Sequence, residues 1–247
     1  MKCAAFALML ASAALQAWSR DVERLPLREI DRALILPKGM WQECLTWNAG
    51  SYGDTLMDME TTQIVGFLPA LPSWSITDRL SMISFPWPFI RYLILGENIG
   101  TGSEGSMHNL GIAIDGGVTS IAYDEKRGWE YFGALGANFK KPLTKRLWAQ
   151  GRVHFFAGNY FGKLEGAGTS SLGAGIQWST RFYSITSYSF YQAFRPDFGR
   201  MHAFDRRIHA FDQEVGVNFT PVLSLSYGFN LDSDDYTSVR LQLAIQW

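Results

Sequence analysis

The last eleven residues of the chain constrain its fold more than any other stretch. Val239, Leu241, Leu243, Ile245 and Trp247 alternate without a break with Ser238, Arg240, Gln242, Ala244 and Gln246. Successive strand side chains point to opposite faces, so this is a β-strand with one apolar and one polar face. A helix would scatter the same apolar residues around its circumference. Ten or so residues is also the length of a tilted strand that crosses a bilayer. A half-buried edge strand in a soluble sandwich is the other setting in which such a pattern arises.

Composition narrows the choice. Charged residues make up 18% of the 247, below the roughly 25% usual in soluble domains, and aromatic residues reach 15%. The 22 basic and 23 acidic side chains nearly cancel, to a net charge of −1. This balance excludes a basic nucleic-acid binder and a polyanionic disordered tail. Beyond residue 20 no apolar run approaches the roughly 20 residues of a membrane helix. A soluble all-β protein and a membrane β-barrel remain.

The N-terminus favours the second. Lys2 is followed by an apolar stretch from Cys3 to Leu15, and small residues Ala17 and Ser19 flank Trp18. This reads as a secretory signal peptide over residues 1–19, with a buried N-terminal helix as the alternative. Cys3 precedes the apolar stretch, so a lipoprotein anchor is not expected. Cleavage would leave Cys44 alone, without an intramolecular disulfide.

With an export signal at one end, the closing pattern at the other resembles the final strand of bacterial outer-membrane β-barrels, although no specific characterised family is matched. That resemblance implies that Val239, Leu241, Leu243, Ile245 and Trp247 face lipid and form the insertion signal read by the barrel-assembly machinery. It implies an outer-membrane location and says nothing about activity.

Strand number follows from the turns. A five-residue pattern, apolar–polar–polar–polar–apolar in loose form, recurs at Ile76–Leu80, Leu143–Leu147, Trp178–Phe182 and Phe219–Leu223. Asp115-Gly116 supplies a fifth expected turn, since Asp-Gly favours type I′ hairpins. Longer polar or Gly-rich stretches at Gly50–Met59, Glu97–Ser106, Asp124–Gly128, Asn159–Thr169, Gln192–His209 and Leu231–Tyr236 are expected as outer loops. Five turns and six loops predict a closed antiparallel up-and-down barrel of twelve strands over residues 42–247, with both termini on the periplasmic side. Pro86 and Pro88 interrupt Leu80–Leu95; a kinked long strand keeps twelve, and a missing pair gives ten. Residues 20–41 are expected to form a short helix or arm at the periplasmic opening, partly plugging it.

Alternation assigns the faces. Leu147, Ala149, Val153 and Phe155 are expected toward lipid, as are Phe211, Val215, Val217 and Phe219, Leu223 to Phe229 at odd positions, and Tyr131, Leu135 and Phe139. Trp47, Trp129, Trp178 and Trp247 fall near strand ends, where interfacial girdles sit. The inferred lumen holds Glu130, Lys140, Arg152, His154, Arg181, Asp212, Glu214 and Arg240. Mixed charges there serve either to fill the barrel with a salt-bridged network or to line a narrow path whose selectivity they set.

Three functions follow: a passive narrow channel or uptake protein for small polar solutes, an outer-membrane lipid-modifying hydrolase, or a structural barrel with a closed lumen. The hydrolase needs a serine near a histidine, and Ser106 and His108 at a loop end are the candidates. The motifs of such hydrolases are not reproduced, so catalysis is the weaker expectation. No metal or cofactor site is expected. The arginines of Gln192–His209 suit lipopolysaccharide phosphates, or the loop folds inward and narrows the mouth.

Overall fold

The computed structural model describes residues 25–52, 63–83, 89–96, 110–124, 128–160, 163–193, 207–233 and 236–246. Twelve antiparallel strands close into a barrel. They are β1 (Trp41–Tyr52), β2 (Gln63–Ser75), β3 (Leu80–Ile83), β4 (Phe89–Leu95), β5 (Gly111–Asp124), β6 (Gly128–Pro142), β7 (Leu147–Tyr160), β8 (Lys163–Gln177), β9 (Phe182–Ala193), β10 (Arg207–Thr220), β11 (Leu223–Asp232) and β12 (Tyr236–Gln246). Each strand pairs with its neighbours in sequence, and β1 closes on β12 in unbroken register from Gln42 opposite Gln246 to Tyr52 opposite Tyr236. The order of strands runs full circle, which lets backbone groups pair within the sheet in a lipid surround, although β2 meets β3 only over Ser73–Ser75 and β5 meets β4 only over Ile112–Gly116 among the described residues.

Four tight turns share one device. In each, a hydroxyl at the second position accepts from the two backbone amides that reopen the sheet. Thr77 Oγ1 takes Arg79 N at 3.1 Å and Leu80 N at 3.0 Å; Thr144 Oγ1 takes Arg146 N at 3.2 Å and Leu147 N at 2.9 Å. Ser179 does the same for Arg181 and Phe182, and Thr220 for Val222 and Leu223. A short side-chain acceptor offers the backbone a local partner where the ladder ends.

The expected turn at Asp115-Gly116 does not exist. Both residues lie mid-strand in β5, where Gly116 pairs with Leu135 of β6 and Ile90 of β4. No Ser or Thr occupies the capping position, and Asp115 spends its carboxylate on side chains of other strands. The missing strand comes from Leu80–Leu95, which forms two short strands, β3 and β4, instead of one kinked strand. Pro86 and Pro88 fall between them, outside the described residues. The count of twelve therefore stands on a different path. Leu95 and Gly111, which precede and follow the expected outer loop Glu97–Ser106, meet at the end that carries the tight turns; the Glu97–Ser106 stretch itself lies outside the described residues.

The exterior is apolar. Val118 (68% exposed), Leu135 (64%), Leu172 (63%), Phe155 (55%) and Val215 (49%) project outward with Ile114, Val153, Phe211, Phe219 and Tyr227. So continuous an apolar surface suits hydrocarbon and not water. Leu241 belongs to it, whereas Gln246 is buried inward and reaches Gln42 of β1. Trp178 is exposed at the turn end and donates its indole N–H to Ser184.

Inside, aromatic rings lie across glycines. Trp148 is fully buried over Gly175, its register partner on β8, and Tyr183 covers Gly216 on β10. A Cβ at either glycine would overlap the ring. Trp148 keeps the inward parity of Gln150, its indole N–H donating to Gln150 Oε1 at 2.9 Å.

Candidate functional site

The segment before β1 enters the lumen from the turn end. Residues 25–40 run through it with one short 3-10 turn, Glu29–Asp31. Leu25, Ile30, Ile35 and Met40 are buried. Ile30 packs on Trp148 and Tyr183, while Ile35 and Leu34 pack on Leu93 and Ala113. Burial of such side chains contributes about 1.5–3 kcal/mol each, which is enough to hold a short arm that has no sheet pairing of its own.

Polar side chains of the wall complete the docking by bonding to the arm's backbone. Lys140 Nζ donates to Glu29 O at 2.6 Å and Arg32 O at 3.0 Å, pairs with the Glu29 carboxylate at 3.5 Å, and sits 5.4 Å above the Trp148 ring. Asn218 donates to Leu27 O at 2.9 Å, and Gln177 Oε1 accepts from Ile30 N at 3.1 Å. Arg32 reaches Pro221 O at 3.2 Å, and Arg28 bonds to Lys145 O. These bonds satisfy arm groups that would otherwise be stranded in a water-poor lumen.

Two charged clusters stand on opposite stretches of wall. In the first, Asp115 accepts a forked pair from Arg91, Nε at 2.7 Å and Nη2 at 2.8 Å, together with Asn138 Nδ2 at 2.7 Å. His154 Nε2 lies 3.0 Å from the same carboxylate. Gly136 stands between Asp115 and His154 in the register, and its bare backbone lets the imidazole cross to β5. Arg91 also touches the arm, at Leu34 O, 3.4 Å away. In the second cluster, Glu214 accepts from Arg240 Nη2 at 2.7 Å and from Tyr183 Oη at 3.4 Å. Asp212 accepts from Ser189 Oγ at 3.1 Å and Asn230 Nδ2 at 2.6 Å.

The arm does not fill the lumen. A cavity of about 450 Å³ lies against β6–β12, lined by Asn138, Arg152, Ser187, Asp212, Glu214 and Arg240 among others. A second, of about 210 Å³, lies between the arm and the wall that carries Ser226, Gln242 and Gln246. Leu34 and Glu214 line both cavities, so the two meet beside the arm.

Of the residues expected in the lumen, Arg152, Asp212, Glu214 and Arg240 line the larger cavity. His154 is drawn into the Asp115 cluster and Lys140 holds the arm. Arg181 sits in the exposed turn between β8 and β9 instead, its carbonyl accepting from Asn218 N at 3.0 Å. The strand that Arg181 would have lined begins only at Phe182. Glu130 belongs to β6, but its side chain lies outside the described residues, as do Ser106, His108, Trp247, residues 1–24 and most of Gln192–His209. Arg91, Asp115, Trp148 and Tyr183 are inward residues that the sequence reading did not select; inward parity marks Trp148 and Arg91, but nothing local marks their partners.

No family model matches the sequence, and no curated protein matches it. The fold has solved relatives. The COG4313 outer membrane channel from Pseudomonas putida F1 aligns with a TM-score of 0.52 at 11% identity, over 86% of this chain and 97% of that one. The NanC porin aligns at 0.48 and 9% identity, over 81% and 98%. The outer membrane channel DcaP of Acinetobacter baumannii aligns at 0.38 and 9% identity, over 87% and 100%. The architecture, with its apolar exterior and polar interior, is that of a bacterial outer-membrane β-barrel.

Proposed function

We propose that the protein is an outer-membrane channel for small polar solutes, narrowed from within by its own N-terminal arm. The observation that carries this reading is the pair of polar cavities meeting at Leu34 and Glu214 beside the arm. A solute entering the larger cavity would pass Asp212 and the Glu214–Arg240 pair, then slip between the arm and the β11–β12 wall. Arg152, Asp212, Glu214 and Arg240 set selectivity along this route, because charges in a narrow, poorly screened lumen act strongly on passing ions. Glu130, His154 and Arg181 are not assigned a part in it.

Residues 1–19 act as the export signal. Val239, Leu241, Leu243, Ile245 and Trp247 present the stripe read by the assembly machinery, and lipopolysaccharide surrounds the outer end.

The number of bonds between arm and wall supports a second reading, a barrel whose lumen stays closed. Planar bilayers decide between them. Protein whose fold is verified by a mobility shift on heating should give discrete conductance steps; folded protein that gives none at any voltage removes the channel reading and leaves the closed barrel.

A further inference from the structure

The larger cavity carries its polar groups in a defined order around the wall. Arg152 on β7, Ser171 on β8, Ser187 on β9 and Asp212 on β10 come from four consecutive strands and all line it. Arg152 is the register partner of Ser171, and Ser187 that of Asp212. Arg152 has no ion pair or hydrogen-bond partner for its guanidinium among the described residues. Asp212 is held by two neutral donors, Ser189 and Asn230, and by no cation among the described residues. The other two charges on the lining, Glu214 and Arg240, neutralise each other at 2.7 Å. Among the described residues one positive and one negative group are left uncompensated, with two hydroxyls between them in strand order.

We infer that this cavity binds a small zwitterion of short-peptide length, its carboxylate on Arg152 and its ammonium on Asp212. A simple anion drawn to Arg152 would leave the Asp212 charge unanswered, and a simple cation would leave Arg152. A ligand carrying both charges satisfies both groups at once. The guanidinium suits a carboxylate through paired N–H donors. Ser171 and Ser187 suit the amide groups of a peptide lying between.

Spacing favours a peptide over a single amino acid. Arg152 stands opposite Ser171, Ser171 opposite Ser189 and Ser189 opposite Ala210, so Asp212 lies three inter-strand steps across and two residues along from Arg152. At about 4.8 Å per step and about 3.3 Å per residue that is roughly 16 Å along the sheet. The curvature of the wall and the long Arg152 side chain shorten the gap between the charges. An extended chain of two or three residues, at about 3.3–3.6 Å per residue, bridges what remains. A volume of about 450 Å³ accommodates such a molecule. The inference deepens the channel reading, because the cavity lies on the proposed route, yet binding is measurable without permeation.

The test uses the full-length folded barrel in detergent, with triglycine as the probe in a calorimeter. N-acetyl-triglycine and triglycine amide, each carrying one charge, are the comparisons. Triglycine should bind at least about tenfold more tightly than either. Arg152→Gln should erase its advantage over the amide alone, and Asp212→Asn its advantage over the acetylated peptide alone. Equal affinity for the three probes, or no binding of triglycine, overturns the inference, and this wild-type comparison decides even where a variant fails to fold. Conductance steps without triglycine binding would sink the binding site and leave the channel; triglycine binding to a barrel that never conducts would do the reverse.

Discussion

The two stretches of lumen wall use similar residues to opposite ends. Along β4–β7, Arg91, Asp115, Asn138 and His154 bond to one another, and Lys140 turns to the backbone of the arm. Along β9–β12, Asp212, Glu214 and Arg240 also find partners, but they border open volume beside Leu34. Charge inside a barrel therefore does not by itself mark a path. What separates the two is where the arm packs: it presses its buried Ile35 against Leu93 and Ala113 on the first side, whereas on the second it touches Tyr183 and Asn218 and leaves space beside Glu214 and Ser226. The first wall bonds to itself, and the second borders open volume.

That contrast has measurable consequences. Asp115→Ala should have the largest effect, since it strips Arg91, Asn138 and His154 of their shared acceptor and leaves a partly buried guanidinium unpaired. A loss of about 3–5 kcal/mol is expected, read from urea unfolding in lipid vesicles; a loss under about 1 kcal/mol would mean that the cluster does not brace the wall. Lys140→Met comes next. Two arm carbonyls lose their donor, weakening the docked arm by about 1–3 kcal/mol. Trypsin should then cut faster at Arg28 and Arg32, and conductance should rise; unchanged cleavage would show that the apolar contacts alone retain the arm. Glu214→Gln should cost least, below about 1 kcal/mol, because Arg240 remains half exposed to water. Its signature is ionic: the reversal potential in a salt gradient should move toward anion preference, and an unmoved potential would take Glu214 off the route.

The sequence revealed some parts of this molecule and hid others for a physical reason. Thr77, Thr144, Ser179 and Thr220 act within their own turns, so those hairpins are readable from five residues each. Likewise, β12 shows both faces in its own alternation. Asp115-Gly116 misleads because its local preference for turning is overruled by Arg91, Asn138 and His154, which lie 24, 23 and 39 positions away. Trp148 has the inward parity of Gln150, but no local signal says that it will lie over Gly175 and receive Ile30 from the arm. Arg152, Asp212, Glu214 and Arg240 are legible as inward residues from parity alone. Whether each is neutralised depends on which strands become neighbours, and that is a property of the closed sheet.

Gly39 marks the place where the arm gives way to the cylinder that houses it. Its backbone stands at φ +79°, a conformation open to glycine, with nothing within 4 Å of where a Cβ would sit. The backbone passes from stopper to cylinder through this residue, on the same rim where β1 begins, and its N–H donates to Ser75 O at 2.7 Å. Withdrawing the stopper breaks none of the rungs between β1 and β12, so the cylinder stays shut along its seam while its bore is cleared. The vessel's seam and its cork are held by different bonds, although a single thread makes both.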